Sequence, residues 1–105
     1  MSARTPDEAG FTQAVIQLAR LHGWRCAHFR AARTVGGWRT PVSGDVGFPD
    51  LVLARRERLV VAELKIGRGR PTDEQSAWLS AFTAAGVQAF IWTPELWTEI
   101  EETLS

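Results

Sequence analysis

Apolar positions along this chain change period several times, and each change marks an element. From Pro6 to His22, the residues Phe11, Val15, Leu18, Ala19 and His22 recur at helical spacing. Thr5-Pro6-Asp7-Glu8 reads as the start of that helix, with Thr5 as the cap, Pro6 at the first helical position and Glu8 three residues after the cap. Gly23 suits its stop, and Trp24 to Phe29 is aromatic and apolar enough for a strand. Leu51-Val52-Leu53-Ala54 and Leu59-Val60-Val61-Ala62 flank the charged turn Arg55-Arg56-Glu57-Arg58, which predicts a hairpin. Their near-continuous apolarity predicts strands covered on both faces, as in a layered α/β fold. Thr72 caps a second helix running to Ala85, with Gln75 in the capping-box position and Trp78, Leu79 and Phe82 on one face. Gly86 ends it, Val87 to Trp92 is a strand, and Thr93-Pro94 opens a last helix with Leu96, Trp97, Ile100 and Leu104 apolar. The order is α-β-β-β-α-β-α, which predicts one mixed central sheet flanked by helices.

Arg30 to Gly47 breaks every period through Gly36-Gly37, Pro41 and Ser43-Gly44, so it reads as a long loop with room for a short element. A loop of that length in a small domain is usually functional or mobile. The whole chain of 105 residues fits a single domain. Its 45% apolar and 23% charged content is that of a folded globular protein. A lone cysteine, Cys26, allows no intramolecular disulfide and no thiolate zinc cluster, which points to a reducing, cytosolic setting. No apolar run approaches the roughly 20 residues of a membrane span, and the first residues lack a secretory apolar core.

The chemistry gathers in the hairpin. Asp50 begins one strand and Glu63 and Lys65 end the other, where alternation puts Glu63 and Lys65 on the same face. A turn symmetric about Arg56-Glu57 sets Ala54 opposite Leu59 and therefore Asp50 opposite Glu63. Directly opposed side chains have Cβ atoms about 4.5–5.5 Å apart. Two carboxylates at that range repel, and a divalent cation relieves the conflict; Mg²⁺ takes one or two carboxylates together with phosphate oxygens. The plainer alternative is that Asp50 only starts a strand and Glu63 and Lys65 form an edge ion pair.

Pro49-Asp50 followed after one hairpin by Glu63-Leu64-Lys65 resembles the PD-(D/E)xK nuclease signature. The fuller pattern, Gly47-Phe48-Pro49-Asp50, then Glu63-Leu64-Lys65, then a helix bearing Gln75, is similar to the stand-alone virus-type replication-repair nuclease (VRR-NUC) domain. The resemblance spans Pro6 to Trp97 and implies a restriction-endonuclease-like αβββαβ core with a C-terminal helix. It implies Mg²⁺- or Mn²⁺-dependent phosphodiester hydrolysis, with no small-molecule cofactor. In that pattern Asp50 and Glu63 hold the metal with the backbone carbonyl of Leu64, and Lys65 orients the attacking water or stabilises developing charge. An acidic residue on the first helix, here Glu8, often joins the metal site, and Gln75 lies near the active centre. Both residues also have a capping explanation.

Net charge is zero, yet this is a cancellation. All 12 basic residues lie at or before Arg70 with 6 acids, and the remaining 6 acids follow without a Lys or Arg. The resulting +6 and −6 segments predict a polarised molecule with an anion-binding side. Arg68 and Arg70 in Gly67-Arg68-Gly69-Arg70-Pro71 directly follow Lys65 and are candidates for phosphate contact. Arg30, Arg33 and Arg39 are candidates to grip DNA from the long loop, with Trp38 to stack. His22, His28 and Cys26 show no ligand spacing. The expectation is a metal-dependent DNA endonuclease, structure-selective on branched DNA such as Holliday junctions. The resemblance places it in phage or bacterial replication and repair, in the cytosol of a bacterium or phage-infected host. Symmetric cutting of two strands needs two sites, so a homodimer is expected, with the last helix and the tryptophans as interface candidates. The alternative is a non-catalytic nucleic-acid-binding module on the same fold.

Overall fold

A computed structural model of the protein describes residues 7–29, 32–34, 37–39 and 43–105, with side chains for 7–29 and 43–105. Helix α1 spans Glu8–Leu21 and presents Phe11, Thr12, Val15, Ile16 and Ala19 as its buried stripe. Its cap is Asp7, whose carboxylate accepts from Gly10 N at 2.6 Å. This corrects the expected start: Glu8 is the first helical residue and not the third residue of a box capped by Thr5. Thr5 and Asp7 are both cap-forming residue types, and Asp7 has the extended backbone and side-chain acceptor of the cap.

Strands β1 (Arg25–His28), β4 (Leu51–Arg55), β5 (Arg58–Leu64) and β6 (Gln88–Trp92) form one mixed sheet in the order β1-β4-β5-β6. β1 to β4 and β4 to β5 are antiparallel, and β5 to β6 is parallel. Within the stretch expected as a loop, β2 (Ala32–Thr34) and β3 (Gly37–Arg39) pair as a separate two-stranded ladder. The hairpin register is the expected one, with Ala54 opposite Leu59 and Leu51 opposite Ala62. Coverage of the two strands differs from expectation. Val60 to Leu64 of β5 are buried on both faces, whereas in β4 only Leu51 and Leu53 are buried and Ala54 is exposed.

Helix α2 (Asp73–Ala84) carries the full capping box: Gln75 N donates to Thr72 Oγ1 at 3.2 Å and Thr72 N donates to Gln75 Oε1 at 2.8 Å. As the crossover between parallel strands requires, α2 follows β5 and returns the chain to β6, packing over both. A 3₁₀ turn (Pro94–Leu96) leads into α3 (Trp97–Leu104), which buries Ile100 and Leu104. The main core lies on the face covered by α1 and α3. There Phe11, Val15, Ala19, Trp24, Leu51, Leu53, Val60, Ala62, Leu64, Trp92, Ile100 and Leu104 pack together. Strand alternation leaves Val52, Val61, Glu63 and Lys65 on the opposite face, the side of α2. Among the described residues no helix is long and apolar enough to cross a membrane.

Candidate active site

The site lies where β4 begins and β5 ends. Asp50 directly precedes β4, and its Oδ2 accepts from Leu64 N at 2.9 Å. The next amide, Lys65 N, donates the other way to Trp92 O at 2.9 Å. The peptide joining Leu64 to Lys65 is planar and trans, so the Leu64 carbonyl points opposite to Lys65 N–H, toward the Asp50 side. Both polar backbone groups of Leu64 therefore face Asp50. On the same face, Lys65 Nζ lies 3.3 Å from Glu63 Oε2.

Glu63 is the outlier. It is 2% exposed and its Oε1 is buried without a hydrogen-bond partner among the described residues. A buried, half-satisfied carboxylate is costly to ionise. Burial, and then the neighbouring Asp50 charge, push its pKa up from the ordinary 4.5 to about 7, with Lys65 pulling the other way. The geometry keeps one ionisable oxygen dry, unpartnered and next to a second carboxylate.

The segment ahead of Asp50 explains how it is aimed. Gly47 adopts φ +93°, and a Cβ there would fall 2.7 Å from the Glu74 carbonyl carbon and 2.8 Å from Gln75 N. Only glycine lets this backbone lie against the first turn of α2. Phe48 then makes edge-on contacts with Phe29, Trp78 and Phe82, at centroid distances of 5.1, 5.0 and 5.8 Å. Trp78 Nε1 donates to Asp45 O at 3.1 Å, and Pro49 is buried. Asp50 is thus held from α2 through three consecutive residues. The sequence carried a weak sign of this, a glycine before an aromatic residue; the partner surface on α2 is distant in sequence.

Other candidates are placed as follows. Gln75 stands on the first turn of α2 beside Gly47, with its Oε1 occupied by the Thr72 amide. Glu8 is exposed, and its carbonyl accepts from Thr12 Oγ1 at 2.8 Å. It does not join Asp50 and Glu63: among the described residues no three His, Cys, Asp or Glu side chains form a metal-holding group. Arg68 and Arg70 are exposed on the turn after Lys65. That turn is closed by Gly69 N donating to Ile66 O at 3.0 Å, with Gly67 at φ +58°. A Cβ on Gly69 would lie 3.6 Å from Lys65 Cδ, so the turn folds back beside the lysine stem. The side chains of Arg30, Arg33, Trp38 and Arg39 lie outside the described residues. Cys26 is half-buried against the core, with its thiol toward Trp24 O. A shallow cavity of about 350 Å³, lined by Asp45, Val46, Glu74, Ala77, Trp78 and Ala81, lies on the outer side of α2 and includes none of the hairpin carboxylates.

Compared with known protein families, curated proteins and solved structures, the chain gives no match.

Proposed function

We propose that this protein is a metal-dependent DNA nuclease that hydrolyses phosphodiester bonds. The observation that carries the reading is Glu63, a buried carboxylate with one unpartnered oxygen, set beside Asp50 and 3.3 Å from the Lys65 ammonium. The αβββαβ order that holds these residues at one sheet end supports the resemblance to PD-(D/E)xK enzymes.

The donor set fits a hard divalent cation. Two carboxylates that disfavour each other's ionisation are relieved by one, and oxygen donors suit Mg²⁺ or Mn²⁺. Asp50, Glu63 and the Leu64 carbonyl would hold it. When bound, such a cation lowers the pKa of water and neutralises charge on the scissile phosphate. The chain's own residues do the rest. Leu64 N–H holds Asp50 in place. Lys65 offers a positive charge for the oxyanion that develops on phosphorus. Gln75, at the start of α2, is a candidate to orient the substrate. Arg68 and Arg70 approach the phosphates on either side of the scissile bond.

Branched DNA is the proposed substrate and a homodimer the proposed working form, with α3 and the half-buried Trp97 as candidates for the contact. The test incubates purified protein with a labelled four-way junction, a duplex and a single strand, in Mg²⁺, Mn²⁺ or EDTA, with light scattering on the same sample. Cleavage that needs the metal and vanishes in Lys65→Ala is expected. Absence of cleavage on every substrate in both metals overturns the enzyme reading, and DNA binding without cleavage would favour the non-catalytic module.

A further inference from the structure

The face that carries Asp50 and Glu63 is covered unevenly. Helix α2 packs over β5 and β6. Along the other two strands of the sheet, Arg25, Ala27 and Ala54 stay exposed and Val52 is half-buried. Alternation puts all four on the Asp50 face: Arg25 pairs with Ala54, and Ala27 with Val52. The strip between Asp50 and Arg25 is therefore paved with small side chains, which let an extended backbone approach closely. Arg25 stands four residues along β4 from Asp50, roughly 13 Å at 3.3 Å per residue. That is about four base-pair steps at 3.4 Å along the axis of a duplex.

The arginines at this far end divide into two kinds. Arg55 and Arg58 turn to the opposite face and stack over the Trp24 ring, at 4.6 and 5.0 Å from its centroid. Arg55 also donates to the carbonyls of His22, Leu104 and Ser105, and Arg58 to Gln88 Oε1. Arg25 and Arg56 have no ion-pair or hydrogen-bond partner among the described residues. Arg56 moreover sits at φ 55°, in the left-handed region that favours glycine. A two-residue hairpin turn takes a positive φ at its first central residue, and here that position presents a cation at the tip of the hairpin.

We propose that the uncovered half of this face, along β1 and β4 from Asp50 to Arg25 and Arg56, is a tract for the sugar–phosphate backbone of the substrate. The proposal rests on the nuclease reading above and adds a second phosphate-gripping point at the far end of the hairpin from Arg68 and Arg70. The acidic site end takes its phosphate with a cation, and the net-positive turn end holds the strand with or without one.

The experiment measures binding of labelled duplex and four-way junction in EDTA over a series of salt concentrations. Each phosphate contact contributes about 0.9 to the slope of log affinity against log salt. The Arg25→Gln/Arg56→Gly double variant is expected to lower the slope by roughly 2 and to weaken binding on the order of tenfold. Arg25→Lys, which keeps the charge, is expected to keep the slope. If the unaltered chain binds DNA and the double variant shows the same slope and affinity, the tract is wrong and the nuclease reading stands. If the unaltered chain neither binds DNA nor cuts it with Mn²⁺, both fall together.

Discussion

The β4–β5 hairpin has charged residues at both ends, and the two ends treat them oppositely. At the turn, Arg55 and Arg58 lie against Trp24, and their nitrogens are used on carbonyls and an amide oxygen. Trp24 Nε1 itself donates to Leu104 O at 2.8 Å, so this end closes α3 onto β1. At the strand tips, Glu63 is buried with an oxygen left over, and the nearest carboxylate raises the cost of its charge. The same two strands thus hold a satisfied cluster that serves stability and an unsatisfied one that stability alone does not explain. Charges are informative about chemistry where the surrounding fold declines to neutralise them.

The sharpest way to break this contrast is to remove charge at the carboxylate end. Asp50→Asn or Glu63→Gln is expected to reduce cleavage on the order of a thousandfold, because a divalent cation is worth several kcal/mol of transition-state stabilisation. In the same samples, Glu63→Gln is expected to keep or raise the melting temperature of the metal-free protein. A variant that lost folding in step with activity would make this end structural, like the other.

At the turn end the expectation reverses. Trp24→Ala removes a buried ring, its bond to Leu104 and the platform beneath two guanidinium groups. It is expected to lose about 3–5 kcal/mol in urea unfolding. Loss of DNA cleavage beyond the unfolded fraction would blur the division between the ends.

Changing pH acts on the carboxylate end through Glu63. Glu63 has a folded pKa of about 7 against an ordinary 4.5, so the folded state holds its proton more tightly than the unfolded state. Its contribution to stability is full below the ordinary value and is lost as pH rises toward and through the folded one. Thermal melts of metal-free protein are expected to fall over that interval. Mg²⁺ is expected to restore the loss increasingly as pH rises, since ligation needs the ionised form. Glu63→Gln flattens both trends.

The smallest effect belongs to Arg55→Ala. The carbonyls of His22 and Ser105 are exposed, where water can replace the guanidinium, and the Leu104 carbonyl keeps its bond from Trp24 Nε1. A loss of about 1 kcal/mol is expected in urea unfolding. A loss several times larger would mean that this cluster is under strain as well.

Local features were readable from the sequence alone. The symmetric turn gave the hairpin register, and Thr72 with Gln75 gave the start of α2, because both depend on residues only a few positions apart. The start of α1 differs from expectation for a local reason too: Thr5 and Asp7, two positions apart, are both cap-forming types, and the backbone at Asp7 decides for it. Features that depend on distant contacts were not legible. Gly47 gains its meaning only when the first turn of α2 arrives beside it, and Phe48 only among Phe29, Trp78 and Phe82. Arg55 and Arg58 read only as part of a charged turn, because their stacking partner lies far back, at Trp24. The carboxylate pair was legible as a spacing, while its burial required β6 and α2 to cover β5.

The hairpin's register also sets an order in time. Pairing that spreads from a turn closes its shortest loops first, so Arg55 meets Arg58 before Leu51 meets Ala62. The chain begins to zip at the end where Arg55 and Arg58 stack on Trp24. Asp50 and Glu63 are drawn together last, after the strands between them are already joined. On that order of closure their mutual repulsion falls on the last step and not on the turn.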